Sequence, residues 1–410
     1  MKWPEVNLDQ VLSLEYGSAL PERDRDSSGF LPVLGSNGVV GYHTRALVPG
    51  PGVVVGRKGS SGKVTWIESD FWPIDTTYYV SLKTFVNLRW IFYLLNFLNL
   101  EQLSIVTGVP GLNRNDAYKL RFVLPPPSEQ HRIVEILDQA DALRKKRTEA
   151  GAKAERILPA LFIKMFRDPV GWVSETNTKL LGSVVEIQSG GTPSKQNPDF
   201  WKGEVPWVSP KDMKQDILFD ATDHISRSAV EQTNLKYVDP GAVLIVVRGM
   251  ILAHTVPIAL AGCQLTINQD MKALQPKRSD IDSAYLYAAL KASSSPLLSQ
   301  VRTAAHGTRK LDTDEFLRLP ILIPPPQDLE KFRRRMTRCQ QIMSGVKKTE
   351  EMFDRLFETL LYRAFSGDLT AKWREAHMKE LLAEMEEQAR YLNSGVNDRQ
   401  KAAELQGSLF

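Results

Sequence analysis

A triple proline followed by a long charged segment occurs twice in this chain, as PPPSEQHRIVEIL from Pro125 and as PPPQDLEKFRRRM from Pro324. The two lie 199 residues apart (324 less 125). The same offset pairs Ile133 with Phe332, Leu137 with Met336, Ile157 with Leu356, Leu161 with Leu360 and Phe166 with Phe365, without a gap. Within the first copy, apolar residues recur at three- and four-residue steps: Ile133, Leu137, Ala140, Leu143, then Ala150, Ala154, Ile157, Leu161 and Met165. That spacing lines one face of a helix and predicts a coiled-coil seam. The prolines end the preceding segment because they lack an amide donor, and Ser128 or Asp328 is placed to cap the helix that follows. A helix from Ser128 to Phe166 would hold about 39 residues and extend roughly 58 Å.

The segments ahead of these helices echo one another as well. LDQVLSLEYG from Leu8 resembles LGSVVEIQSG from Leu181, an offset of 173 (181 less 8). GVPGLNRNDAYKL from Gly108 matches GTRKLDTDEFLRL from Gly307, back at 199. The second copy therefore carries 26 additional residues (199 less 173), about one hairpin's worth. The chain reads as a tandem duplication of a mixed α/β domain and a long helix, and its 410 residues suit two or three domains.

A hydrophobic fraction of 42% with 24% charged residues is that of a globular protein rather than a disordered or fibrous one. Cys263 and Cys339 stand without Cys-x-x-Cys or His-x-x-x-His spacing, which argues against a disulfide framework or a structural zinc site and predicts no bound metal. A reducing, cytoplasmic compartment fits, and MKWPEVNLDQ lacks the apolar run of a signal peptide. The most apolar window, WIFYLLNFLNL from Trp90, is interrupted by Asn96 and Asn99 and is about half a membrane span, so it predicts a core helix and no membrane role. A formal charge of +4 decides nothing about partners; placement does.

Short strand-like runs bounded by Gly, Pro and Asn fill each domain, and basic and amide residues cluster at their turns. In the first domain these are Asn37, His43, Arg57, Lys58, Lys63, Asn113 and Arg114. In the second they are Lys195, Lys211, Lys214, Arg248, His254, Asn268, Gln269, Arg309 and Lys310. Arg and Lys suit phosphates and guanine edges, and Asn and Gln suit adenine edges. Solvated loops hold such residues too, so composition leaves both readings open.

Apparent enzyme motifs fail residue by residue. GRKGSSGKV has Arg57 and Val64 where a phosphate-binding loop needs Gly and Ser or Thr. GSNGVVG lacks the glycine spacing and the following acid of a dinucleotide fingerprint. NPDF at Asn197 departs at Asp199 from the Asn-Pro-Pro-Phe motif of adenine-N6 methyltransferases and reads as a turn. Pairs such as Asp24 with Asp26 and Asp280 with Asp282 have no associated base or metal ligands and read as solvated charges.

SGGTPSKQNPDFWKGEVPWVSPKDMK, LIVVRGMIL with INQDMKAL, GRKGSSGKV with FWPIDTTYYV, and LNRNDAYKLRFVLPPPSEQHRIVEILD together resemble the specificity subunits of type I restriction-modification enzymes over nearly the whole chain. The resemblance implies an α+β fold. Two mixed α/β target-recognition domains, at 1–127 and 169–326, are separated by long helices at 128–168 and 327–368 that pair antiparallel in a pseudo-two-fold tandem repeat. Each domain would read one half of a split sequence in double-stranded DNA, and the helices would set the gap. No catalysis is implied for this chain. Two modification subunits would carry S-adenosylmethionine and methylate adenine N6, and restriction subunits would use ATP and Mg for translocation and cleavage. The rival readings, a free-standing methyltransferase and a scaffold without DNA, lack respectively the cofactor motifs and a need for two loop-rich basic domains.

Leu329 stands where the first copy has Gln130, which puts in doubt any partner contact made through that glutamine. Residues 369–410 predict a further amphipathic helix whose Leu381, Leu382 and Met385 form a stripe for docking on a partner subunit or on the N-terminal domain.

Overall fold

The computed structural model describes residues 3–26, 28–104, 110–174, 177–277, 280–303 and 307–394. Gly108 and Val109 of the repeat landmark, and residues 395–410 of the C-terminal segment, lie outside the described residues. The chain forms two compact units, Met1–Lys146 with Glu350–Phe410, and Arg147–Thr349. Each unit thus holds one loop-rich domain and a part of both long helical segments.

In the first unit the strands are β1 (Glu5–Asn7), β2 (Leu12–Tyr16), β3 (Leu31–Gly35), β4 (Gly38–His43), β5 (Gly52–Gly56), β6 (Val64–Ile67), β7 (Trp72–Pro73), β8 (Thr77–Leu82) and β9 (Arg121–Val123). They make a four-stranded sheet ordered β2-β8-β5-β6, a three-stranded sheet β4-β3-β7 and the pair β1-β9. Leu12 and Leu14 of β2 alternate into the core, the period-2 pattern of a strand with one face covered, whereas β5 is buried on both faces, Val53 and Val55 in this core and Val54 against Leu34 and Phe71. Covering the core face of the sheet is the helix Leu88–Phe97, with Trp90, Ile91 and Leu94 fully buried. Each such side chain contributes about 1.5–3 kcal/mol by leaving water. This is the apolar window read as a core helix, and Asn87 caps it by accepting from Trp90 N at 2.9 Å. No helix among the described residues is long and apolar enough to cross a membrane.

In the second unit the strands are β10 (Thr178–Leu180), β11 (Val185–Ser189), β12 (Val205–Val208), β13 (Ile217–Leu218), β14 (Asp223–Ile225), β15 (Val243–Val246), β16 (Ile258–Ala261), β17 (Thr266–Ile267), β18 (Met271–Pro276), β19 (Arg302–Thr303), β20 (Arg309–Lys310) and β21 (Pro320–Leu322). A five-stranded sheet runs β11-β18-β15-β16-β13, a three-stranded sheet β14-β12-β17, and β10-β21 and β19-β20 are pairs. The helix Ser283–Ala292, capped by Asp282, covers the larger sheet as Leu88–Phe97 does in the first unit.

The two units use the same backbone frame. Leu8 N donates to Leu120 O at 3.0 Å, and Leu181 N to Leu319 O at 2.8 Å; Leu112 N meets Arg57 O, and Leu311 N meets Val247 O, each at 2.9 Å. Gly17 and Gly190 close the same turn: a Cβ would stand 2.2 Å from Ile74 O in one and 2.0 Å from Asn268 O in the other, so no side chain fits. Strand register shows where the additional residues went. Leu34 matches Val208, each beside the parallel partner strand, at an offset of 174. Val55 matches Ile245 at 190. Most of the increment therefore falls between β12 and β15, where it builds β13 and the short helix Arg227–Glu231, while β14 takes the place that β4 has beside β3. The rest is spread further along, so the increment is divided along the domain rather than inserted at one place.

The first long helix is not continuous. It runs Pro127–Ala154, breaks at Glu155 and Arg156, and resumes as Ile157–Phe166. Pro159 is the cause: it has no amide to donate to Glu155 O, and its ring clashes with that carbonyl in a regular helix. The second runs unbroken over Pro326–Phe365. Both begin at the last proline of the triplet, where a missing amide costs nothing. Ser128 therefore lies inside its helix rather than capping it, and both its amide and hydroxyl donate to Glu384. Asp328 likewise sits in the first turn, accepting from Lys331 Nζ at 3.1 Å.

In the first unit Ile133 and Leu137 share a core with Phe357, Ala364 and Phe365. In the second, Phe162 and Phe166 pack on Phe332 with ring centroids 5.6 and 5.4 Å apart. The C-terminal segment forms helices Ala371–Ala376 and Met378–Ser394. They are held to the first unit by Glu129, a fully buried carboxylate that accepts from Trp3 Nε1 at 2.9 Å, Thr370 Oγ1 at 2.6 Å and Arg374 Nε at 2.8 Å. Leu381 is buried there, whereas its neighbour Leu382 faces out. Gln130 is also fully buried: it accepts from Asn87 N at 2.8 Å and donates to Pro125 O at 2.9 Å. In the second copy Leu329 joins the core, and Arg333 reaches the Asp282 carboxylate instead.

Candidate nucleic-acid interface

Candidate residues gather at one end of the main sheet in each unit. In the first, β2 and β8 run antiparallel with Tyr16 opposite Tyr78, and β5 pairs on the other edge of β8. The chain leaves β5 at Gly56 into Arg57 and Lys58, whose amides both donate to Thr76 O. Arg57 turns over the Tyr16 ring at 5.0 Å and Arg114 over the same ring at 4.8 Å. Such guanidinium contacts contribute about 0.5–1 kcal/mol each at exposed sites. Each arginine is also tied to backbone, Arg57 Nη1 to Asp75 O at 2.7 Å and Arg114 Nη1 to Leu14 O at 3.2 Å. Tyr16 remains 49% exposed.

Lys58 stands outward on the same turn, bridged through its backbone to Gly111. Lys63 donates to the carbonyl and side-chain oxygens of Asn37 at 3.0 and 2.8 Å, pinning the β3–β4 turn to the loop after β5. Asn113 caps the helix Arg114–Tyr118 by accepting from Asn115 N. His43 lies apart from the cluster: its Nδ1 accepts from Asp26 N at 3.1 Å and its ring meets Trp72 edge-on.

In the second unit Ser189 stands opposite Lys272, and β15 pairs on the other edge of β18. Arg248 leaves β15 exposed and is bridged through its backbone to Lys310. Arg309 Nη1 donates to Thr303 Oγ1 at 2.8 Å, and Lys310 Nζ lies 3.7 Å from Asp312. Gln269 is exposed and accepts from Thr192 Oγ1. Asn268 is not part of this surface. It is only 6% exposed, and its Oδ1 accepts from Asp270 N, so it shapes the turn instead of facing outward. His254 is exposed after the turn Met250–Ala253.

Lys195, Lys211 and Lys214 lie on other loops, Lys195 exposed in the turn after β11. Lys211 pairs with Asp223 at 2.7 Å, which raises its pKa, and lines with Lys214 a cavity of about 400 Å³ rimmed by the exposed Phe219. Asp212 in the same wall is partly buried, which would raise its pKa, but hydrogen bonds from Thr222 and Ser209 outweigh burial and hold it below the usual carboxylate range. Asn197 of NPDF caps the short turn Pro198–Trp201, accepting from Asp199 N.

Sequence reasoning passed over Tyr16, Tyr78, Ser189 and Lys272. The signal was present in the repeat itself: EYG aligns with QSG, so the residue before an invariant turn changes from Tyr16 to Ser189 while the turn glycine stays. Its partner across the ladder could be found only from register.

The model of the type I restriction modification DNA specificity domain matches residues 1–153 and 173–350. The chain is 28% identical over 286 residues to the EcoR124I/EcoR124II type I restriction enzyme specificity subunit of Escherichia coli, spanning 66% of this chain and 69% of that one. To the MjaIX specificity subunit of Methanocaldococcus jannaschii it is 23% identical over 183 residues, 44% of this chain and 41% of that one. A solved S subunit of a type I restriction-modification system from M. genitalium has the same fold, with a TM-score of 0.51 at 17% identity, covering 89% of this chain and 96% of that one.

Proposed function

Because the chain belongs to the family of type I restriction-modification DNA specificity subunits, we propose that its two domains each read one half of a bipartite target in double-stranded DNA. The carrying observation is the recurrence of one backbone frame in both units, each presenting cations at the same end of its main sheet. Lysines and arginines there replace counterions on phosphates, a sequence-independent contribution, and position the domain over base edges. The two long helical segments set the gap between half-sites. Early residues of one segment share a core with late residues of the other in each unit, which supports antiparallel pairing.

This chain performs no bond-making step. Two modification subunits bearing S-adenosylmethionine methylate adenine N6, and restriction subunits supply ATP- and Mg-dependent cleavage. Exposed apolar side chains on the helices support docking of one modification subunit per unit: Leu143, Met352, Leu356 and Tyr362 in the first, Ile157, Ile163 and Ile342 in the second. The test is sequencing of N6-methyladenine in cells expressing this chain with its modification subunit. A split motif that disappears without this chain is expected. Methylation that is unchanged by omitting the chain, or confined to one uninterrupted motif, would refute the reading.

A further inference from the structure

The two frames carry different side chains at the same place. Tyr16 opposite Tyr78 in β2–β8 corresponds to Ser189 opposite Lys272 in β11–β18, because the turn glycines Gly17 and Gly190 follow directly and Val55 and Ile245 flank Tyr78 and Lys272 on the third strand. Backbone contacts around this point coincide: Gly59 N donates to Pro110 O and Gly249 N to Arg309 O, each at 3.0 Å. A frame kept constant while its outermost pair changes from two phenols to an ammonium and a hydroxyl is what two readers of different letters require.

Lys272 has a neutral acceptor, Ser189, but no anionic one among the described residues. Its Nζ donates to Ser189 Oγ at 2.6 Å, and no carboxylate among the described residues lies within ion-pair distance. Burial, and then the nearby Lys310, lower its pKa, so the charge is held at a cost that an incoming acceptor would relieve. Contact with Ser189 also fixes its direction. An exposed lysine with free rotamers suits a phosphate at many positions, whereas a recessed and oriented one suits one atom of one base. In the first unit Tyr16 is similarly fixed, with Arg57 and Arg114 both over its ring and half its surface open.

We propose that this ladder-end pair sets the letters each domain accepts, with Lys272 donating to the acceptor edge of a guanine in the second half-site and Tyr16 reading the first. The inference rests on the DNA-reading function above. It is tested in the assembled complex of this chain with its modification subunit, by sequencing methylated adenines for wild type, Lys272→Met and Tyr16→Phe. Lys272→Met is expected to lose at least about fivefold discrimination at one base pair of the second half-site, leaving the first unchanged. Tyr16→Phe is expected to alter the first and leave the second.

If Lys272→Met fails to assemble, Lys272→Gln, which removes the charge and keeps a polar donor one atom short of Nζ, puts the same question; relaxation of that one position again supports the assignment. Unchanged letters in both half-sites overturn it. So does uniformly weaker binding with a salt slope smaller by about one, which marks a phosphate contact. A wild-type complex that methylates no split motif refutes the underlying function instead, and is recognised without any variant.

Discussion

Arg57 and Arg248 carry the same charge but are held differently. Arg57 directs its guanidinium to Asp75 O and the Tyr16 ring, while Arg248 stands exposed, its side chain without a partner among the described residues. Arg248→Ala should therefore weaken all DNA sequences alike and reduce the salt slope by about one. Titrations of cognate and scrambled duplexes over a range of salt decide this; an unchanged slope places Arg248 away from the phosphates. Asp212 makes a prediction in pH. Its folded pKa lies below the ordinary value of about 3.9, so the stability it contributes is fully present above that value and lost as pH falls through its lowered folded pKa. Hydrogen exchange should show the loop from Ser209 to Thr222 opening in that acid window, and Asp212→Asn should reduce the pH dependence to what remains from Asp220, whose carboxyl is also held low by bonds from Ala221 and His224. At this scale the sequence was partly readable. Charge and amide content pointed to turns that gather at one end of each main sheet, but Asn268 turned inward to close its own turn and Lys272 emerged only from strand register.

Elements were easier to read than side chains, because periodicity and proline punctuation are local. The long helices, the apolar core helix and the tandem domains were visible as spacing, but the seam was drawn too wide: Leu143 and Ile157, counted into it, are exposed. Counting apolar residues, however, is blind to backbone donors, and so the count ran straight through the break at Glu155 and Arg156 that Pro159 imposes. That break bears on spacing. Four residues inserted after Lys347, in the unbroken helix, add roughly 6 Å and about 40° of rotation, so the gap between half-sites should grow by one or two base pairs at about 3.4 Å each. The same insertion between Glu155 and Arg156 should be absorbed and leave the gap unchanged. Methylation-site sequencing of both variants checks the pair. The C-terminal helices give another test. Glu129→Ala would leave Arg374, itself only 15% exposed, without its partner, a loss of about 3–5 kcal/mol for a broken buried pair. Thermal unfolding at a lower temperature and proteolytic release of the segment from Ala371 onward are expected.

For the whole molecule, two units with helix-borne apolar residues predict an assembly of two modification chains with one of this chain. Native mass spectrometry of the co-expressed proteins should find that ratio; full sequence-specific DNA binding by a one-to-one complex would contradict it. What spacing could not foretell is how the two units came to differ inside a shared frame. Gln130, in the first turn of the long helix, holds the amide that opens the core helix of its own domain, whereas its counterpart position is a core leucine and Arg333 does the tying through Asp282. The lock and the domain it fastens must therefore be inherited together. If such chains diversify by exchanging halves, a crossover placed between Pro125 and Gln130 would join a domain expecting a glutamine to a helix bringing a leucine. A crossover beyond Leu137 would carry the lock along, so viable recombinants should have their seams well inside the helix and not at the prolines that look like the natural border.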